Sequence, residues 1–137
     1  MKEDAHPEGG CLCGAIRYRV TGEPWARSIC HCRSCRLASG APSVAWSVFR
    51  PEDFSFVRGE PVRFESSPKV IRTFCGKCGT PLTYQHAERP AAIDLTTATF
   101  DHPELFPPAV EIWIEHRIVW ERVNEGIPQY PRSSLDS

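Results

Sequence analysis

The sequence lacks any apolar run of the roughly 18 residues that a membrane-spanning helix requires. It also lacks an excess of charge, since 16 basic and 17 acidic side chains leave a formal net charge of −1. Composition therefore gives no reason to expect nucleic acid or a membrane as a partner. The N-terminal segment MKEDAHPEGG has no apolar stretch of the kind a signal peptide needs, so we expect a cytoplasmic protein.

Long helices are not expected either, because 13 prolines are spread along the 137 residues and proline interrupts helices. The best helix candidate runs from Cys32 to Ser39, where Gly40 would end it, and a second helical turn is predicted at 103–106. Short apolar alternations bounded by turn residues predict strands at 16–20, 43–49, 62–64, 70–74, 82–84, 93–95 and 110–114. We therefore predict a mainly β fold of short antiparallel strands with little helix. One domain would span residues 9–131, between flexible ends at 1–8 and 132–137.

Cysteine, by contrast, is abundant. The chain has seven cysteines, an odd number that cannot pair completely, and a reducing compartment would not keep disulfides. They form a C-x-C, a C-x-C-x-x-C and a C-x-x-C-G, namely Cys11 and Cys13, then Cys30, Cys32 and Cys35, then Cys75 and Cys78. Two thiolates on a tight turn point at one metal, most commonly zinc, with iron as an alternative. A thioredoxin-like pair would need a βαβ context, which the strand pattern does not supply.

Seven thiolates divide naturally into four and three. A closed four-thiolate site is structural, whereas three ligands leave one tetrahedral position open, as in catalytic zinc sites. One partition joins Cys11 and Cys13 to the pair Cys75 and Cys78, leaving the C-x-C-x-x-C cluster as the open site. The other joins Cys32 and Cys35 to that pair and leaves Cys30 with the first motif. The first partition orders less chain, because its three open-site ligands lie within six residues, but spacing alone allows both.

Other residues near the cysteines are candidates for function. Arg33 and Arg36 flank Cys35 and could bind a substrate carboxylate, although they could equally balance thiolate charge on a solvated turn. Trp25 could line a pocket. His31 could be a ligand or carry protons, although a residue inside such a turn more often points away from the metal. Asp94 lies on a predicted strand without an assignable role.

Three segments together resemble the family named for glutathione-dependent formaldehyde-activating enzyme and centromere protein V. They are GGCLCGAIRY at 9–18, CHCRSCR at 30–36 followed by SGAP at 39–42, and FCGKCGTPL at 74–82. The resemblance covers about residues 9–131 and implies an Mss4-like, mainly β fold. It also implies the first partition, with structural zinc on Cys11, Cys13, Cys75 and Cys78. A second, labile zinc would lie at the active site on Cys30, Cys32 and Cys35.

The resemblance further implies a carbon–sulfur lyase, acting on a small thiol–aldehyde adduct such as S-hydroxymethylglutathione. An open zinc suits such chemistry, since it can polarise a carbonyl oxygen or lower the pKa of a bound thiol. The alternatives are a non-catalytic zinc module that binds a protein partner, or metal-dependent thiol binding without turnover. Methionine sulfoxide reduction would need a cysteine outside the metal sites, and none is spare. The sequence does not indicate an oligomeric state.

Overall fold

The computed structural model describes residues 6–133. Within that range the chain forms ten short strands, one α-helix and four single turns of 3₁₀ helix. The elements in order are β1 Glu8–Gly10, β2 Arg17–Val20, β3 Ala26–Cys30, α1 Arg33–Ser39, β4 Val44–Phe49, β5 Phe54–Arg58, β6 Val62–Ser67, β7 Val70–Phe74, β8 Pro81–His86, β9 Ile93–Thr96 and β10 Val110–Ile112. The 3₁₀ turns are Pro51–Asp53, Thr97–Thr99, Pro103–Leu105 and Ile114–His116. The predicted mainly β fold is confirmed, and no helix of the described residues has the length and apolarity to cross a membrane.

The strands form two sheets. A three-stranded antiparallel sheet has the order β1-β2-β5, and a seven-stranded sheet has the order β10-β3-β4-β9-β8-β7-β6. In the larger sheet every pairing is antiparallel except that of β10 with β3, which is parallel. The parallel pair brings residues from the C-terminal third of the chain beside Cys30, since Ile112 is its register partner.

The described residues form two apolar clusters. Because side chains alternate along a strand, Phe49 and Trp46 of β4 belong to different ones. The larger cluster contains Tyr18, Phe49, Leu82, Leu95 and Phe100 together with Cys11 and Cys75. The smaller contains Trp46, Cys30 and Cys35, with Tyr84, Ile112 and Trp113 packed against it. The cysteines are therefore shared between two apolar environments.

Helix α1 is confirmed where it was predicted, and its ends have clear causes. Cys32 is the N-cap, and its Sγ accepts a hydrogen bond from the Cys35 amide over 3.3 Å. Gly40 follows the helix in the left-handed region with φ 70°, and its N–H donates to the Arg36 carbonyl. Such a conformation is one that glycine adopts without steric cost.

Three strands were not predicted. In β5, Phe54 and Phe56 alternate with polar or smaller neighbours, so the signal was present and was overlooked. Strand β3 carries small and polar residues whose alternation is weak, and its two neighbours in the sheet impose its conformation. Strand β1 begins at Glu8, inside the predicted flexible end 1–8, of which residues 1–5 lie outside the described range. Of the predicted flexible end 132–137, residues 134–137 likewise lie outside it.

Candidate metal centres

Four cysteines from two distant turns meet at one point. The sulfur atoms of Cys11, Cys13, Cys75 and Cys78 all lie within 4.8 Å of one another. The Sγ atom of Cys13 lies 3.7 Å from that of Cys11 and 3.7 Å from that of Cys75. A tetrahedron with Zn–S bonds near 2.3 Å has edges of about 3.8 Å, so these spacings suit a tetrahedral thiolate site.

In the turns that carry these four cysteines, backbone amide groups donate hydrogen bonds to sulfur atoms. The Ile16 amide donates to Cys11 Sγ over 3.2 Å, and the Lys77 amide donates to Cys75 Sγ over 3.3 Å. Hydrogen bonds from the Thr80 side chain and backbone lower the pKa of Cys78 to about 5. Donors of this kind favour thiolate over thiol, which is the form that binds a metal.

Three cysteines form the second cluster. Cys30 ends β3, Cys32 caps α1 and Cys35 lies in its first turn, and their sulfur atoms also lie within 4.8 Å of one another. The indole Nε1–H of Trp46 donates to Cys35 Sγ over 3.4 Å. Among the described residues no histidine, aspartate or glutamate completes this cluster to four. The structure thus groups the cysteines as the first partition does.

The electrostatics of the three-cysteine cluster are compatible with a bound cation. Hydrogen bonds from the thiols of Cys30 and Cys35 lower the pKa of Cys32 to about 2. The same contacts, with burial, raise the pKa of Cys30 far above its ordinary value. One thiolate is thus favoured and further ionisation is opposed by like charge. A bound dication would remove that opposition, so the donor set fits zinc or another thiophilic metal.

His31 lies between two of these cysteines but is not part of their cluster. Its ring is fully buried, and Nε2 lies 2.5 Å from Oε1 of Glu111, which is itself 1% exposed. Its Nδ1 is buried and has no hydrogen-bond partner among the described residues. The structure thus places the ring against a carboxylate and outside the group of sulfur atoms, whereas the suggested role as a proton carrier stays a prediction.

Glu111 was missed at the sequence level because its position suggested exposure. It alternates with Val110 and Ile112 on a strand, which is typical of a polar outer face. The segment that follows crosses that face: the Glu111 amide donates to the Pro128 carbonyl, and Oε2 accepts from the Asn124 amide over 2.5 Å. Strand periodicity alone does not show that a later segment of the chain packs over this face.

The three-cysteine cluster lies on the wall of a cavity of about 960 Å³, whereas none of the four cysteines of the other cluster lines it. The cavity is otherwise lined by aromatic, aliphatic and a few charged residues, including Trp46, Val48, Phe64, Tyr84, Trp113, Arg33, Arg72, Arg89 and Asp94. Of the suggested substrate contacts, Arg33 is on this wall. Arg36 and Trp25 are not among the lining residues, and Trp25 is about half exposed at 49%.

Asp94, unassigned from the sequence, occupies this cavity wall. Its side chain is 13% exposed, and its Oδ1 lies 3.7 Å from Nη2 of Arg89. That distance is too long for a hydrogen bond, and neither atom has another partner among the described residues. Burial raises the pKa of Asp94 to about 6, although the charges of Arg89 and Arg72 oppose the rise.

Comparison with known proteins identifies a family to which this sequence is similar. The family model described as glutathione-dependent formaldehyde-activating enzyme matches residues 6–116. An uncharacterized lyase of Schizosaccharomyces pombe is 36% identical over 80 residues, which are 58% of this chain and 57% of that protein. A Halomonas elongata protein, provisionally named a glutathione-dependent formaldehyde-activating enzyme, is 26% identical over 126 residues, covering 85% of this chain and 80% of its own.

A crystal structure of a Rhodobacter sphaeroides protein supports the fold. It superposes with a TM-score of 0.58 at 22% identity, covering 89% of this chain and 98% of its own. At that identity the similarity concerns the fold alone. The family model spans most of the chain and includes all seven cysteines of the two clusters. The chain therefore belongs to the glutathione-dependent formaldehyde-activating enzyme family.

Proposed function

We propose that this protein is a zinc-dependent carbon–sulfur lyase that acts on a small thiol–aldehyde adduct such as S-hydroxymethylglutathione. Family membership and the lyase name of the fission-yeast relative support the enzyme class, and the name of the bacterial relative supports the substrate. We place the enzyme in the cytoplasm, where its seven thiols would stay reduced. Two zinc ions per chain are proposed, the second one partly occupied.

One observation carries the proposal: only one of the two cysteine clusters faces the cavity, and it is the cluster with three donors. A closed four-thiolate site has no free position for a substrate, whereas a three-thiolate site has one. The Cys11, Cys13, Cys75 and Cys78 cluster would then hold the fold together. Cys30, Cys32 and Cys35 would carry the reaction.

The reaction breaks the C–S bond of the adduct: the bonding electron pair goes to sulfur, the hydroxyl proton is released, and an aldehyde and a thiol result. Zinc on the three cysteines would supply stabilisation of the thiolate that leaves or attacks. The chain's own residues bind and shield the reactants. Trp46 and Tyr84 form an apolar wall beside the cysteines, with ring centroids 5.9 Å apart, and this wall excludes water. Arg33 on the same wall is proposed as a substrate contact.

The test measures zinc and turnover together. Zinc per chain is determined before and after mild chelation, and interconversion of formaldehyde and glutathione with their adduct is followed by exchange NMR at each step. A ratio near two that falls to one, with activity lost and then regained on adding zinc, is the expected result. The Cys32→Ser variant should resemble the chelated protein.

Each other outcome identifies an alternative. A ratio fixed at one, with no thiol bound, supports a non-catalytic module for a protein partner. Saturable thiol binding that depends on the second zinc, without any exchange, supports thiol binding without turnover. Full activity and full zinc content in the Cys32→Ser variant would refute the open-site proposal.

A further inference from the structure

One face of the seven-stranded sheet carries a row of side chains across the cavity wall. The antiparallel registers pair Phe64 with Arg72, Arg72 with Tyr84, Tyr84 with Asp94, and Asp94 with Val48. All five residues line the cavity. Opposite partners in such a ladder have Cβ atoms roughly 5 Å apart, so this cross-strand row is a continuous surface in which polar and apolar residues are neighbours.

The charged members of this surface are held in place, yet they are incompletely paired. The Arg72 guanidinium stacks on Tyr84, 4.9 Å from the ring centroid, and its Nε donates to Ser66 Oγ over 3.2 Å. Arg89 lines the cavity beside the row, and its side chain is 32% exposed. Its 3.7 Å ion pair with Asp94 is longer than a hydrogen bond. Two guanidinium groups and one carboxylate leave a local excess of one positive charge.

The row and the cysteine cluster are at different places on the same cavity. Trp46 and Tyr84 lie between them: Trp46 donates to Cys35, and Tyr84 is the register partner of Asp94. A formaldehyde-sized group at the cysteines would leave most of the roughly 960 Å³ unfilled. Cavities of that size hold ligands as large as a drug molecule or a short peptide. The volume therefore favours a thiol with a sizeable body.

We propose that Arg72 and Arg89, with Asp94 orienting Arg89, form a subsite for a carboxylate at the far end of the thiol whose sulfur lies at the three cysteines. This inference rests on the proposed function for the position of the sulfur. A planar guanidinium donates two parallel hydrogen bonds to a carboxylate, and stacking on Tyr84 keeps the Arg72 plane fixed. The subsite makes the enzyme selective for acidic thiols over neutral ones.

The experiment measures dissociation constants by calorimetry on the zinc-loaded full chain. The probes are glutathione, its diethyl ester, which lacks both free carboxylates, and S-methylglutathione, which keeps the carboxylates but has no thiol. The quantity compared is the ratio of the ester's dissociation constant to that of glutathione. A charge-assisted hydrogen bond contributes roughly 1.5–3 kcal/mol, so one such bond from each of the two arginines should make the wild-type ratio about a hundredfold or more.

The variants Arg89→Gln and Arg72→Gln should each lower that ratio about tenfold. Arg63→Gln is the matched control, since Arg63 is exposed on β6 and does not line the cavity. Because both ligands are measured on the same variant, a reduced folded fraction affects both dissociation constants equally and does not change their ratio. A ratio within twofold of wild type in both variants would overturn the subsite.

S-Methylglutathione separates the two proposals. If its binding weakens in both arginine variants while no protein shows zinc-dependent exchange, the subsite stands and the lyase proposal fails. If exchange is present but the arginine variants bind every probe as wild type does, the lyase proposal stands and the subsite fails.

Discussion

Replacing Glu111 with alanine should destabilise the whole protein and loosen the three-cysteine cluster in particular. Glu111 joins two parts of the chain that are far apart in sequence. Its Oε1 contacts His31 Nε2, and its Oε2 accepts from the Asn124 amide, both over 2.5 Å. The His31 amide also donates to the carbonyl of the adjacent Ile112 over 3.0 Å. The Glu111 carboxylate thus links the turn that contains His31 to the segment that contains Asn124.

The magnitude follows from burial. Glu111 is 1% exposed and His31 is fully buried, so alanine leaves the buried His31 ring without its partner, at about 1–3 kcal/mol, and also removes the part-buried hydrogen bond from the Asn124 amide. Removal of one member from a buried ion pair typically costs about 3–5 kcal/mol, which is the upper bound for this pair. That is a large part of the roughly 5–15 kcal/mol by which a domain is stable. Glu111→Gln keeps an acceptor and the side-chain volume, so we expect it to lose less, about 1.5–3 kcal/mol.

The assay is denaturant unfolding at fixed total zinc, followed by titration with a chromogenic chelator. Glu111→Ala should unfold at lower denaturant and release one zinc per chain at lower chelator concentration than wild type, with Glu111→Gln between the two. Glu125→Ala is the control, because Glu125 is exposed and such substitutions usually change stability by under about 0.5 kcal/mol. Unfolding of Glu111→Ala at the wild-type midpoint would refute the burial argument, and unchanged zinc release would refute the positioning role.

Two further predictions concern Asp94 and the four-cysteine cluster. The folded-state pKa of Asp94, about 6, lies above its ordinary value of 3.8, so its ionisation costs stability as pH rises through this range. Asp94→Asn removes this cost. The free energy of unfolding of the variant relative to wild type should therefore rise by about 2 kcal/mol between pH 4.5 and 7.5, measured by denaturant unfolding at equal zinc content. A difference that does not change with pH would contradict this. Cys75→Ser should lose one zinc and melt well below Cys32→Ser, because Cys75 is 1% exposed in the larger core and meets Cys13 across 62 positions of sequence. Equal melting temperatures for the two variants would count against a structural role for the four-cysteine cluster.

Features that depend on neighbouring residues could be predicted from the sequence. The ends of α1 follow from Cys32 and Gly40, and most strands follow from alternation within five or six residues. The cysteine spacings likewise indicated metal turns, because each turn is a local structure. What spacing could not decide was the grouping of the turns, since that depends on which strands become neighbours. In the structure, Cys11 and Cys75 share the larger core, whereas Cys30 packs with Trp46 in the smaller one.

Features that depend on distant parts of the chain could not be predicted. Glu111 is buried by a segment that crosses its strand. Asp94 lies near Arg72 because β7, β8 and β9 are neighbours in the sheet, and near Arg89 because the loop between β8 and β9 carries that residue. A polar residue that alternates with apolar ones on a strand is usually expected to face solvent, so the sequence pattern predicts exposure where the structure shows burial. A buried acidic residue becomes visible only when the strand order is known.

The position of His31 explains why the three-cysteine cluster does not become a closed site. A histidine next to two cysteine ligands is chemically able to supply a fourth donor. Here Glu111 engages Nε2, and the ring lies outside the group of sulfur atoms. No carboxylate or further thiol among the described residues joins the cluster in its place. Under the proposed function, the fourth position of a zinc on these cysteines would be left to whatever enters the cavity, because the buried pair of His31 and Glu111 holds the ring outside the cluster.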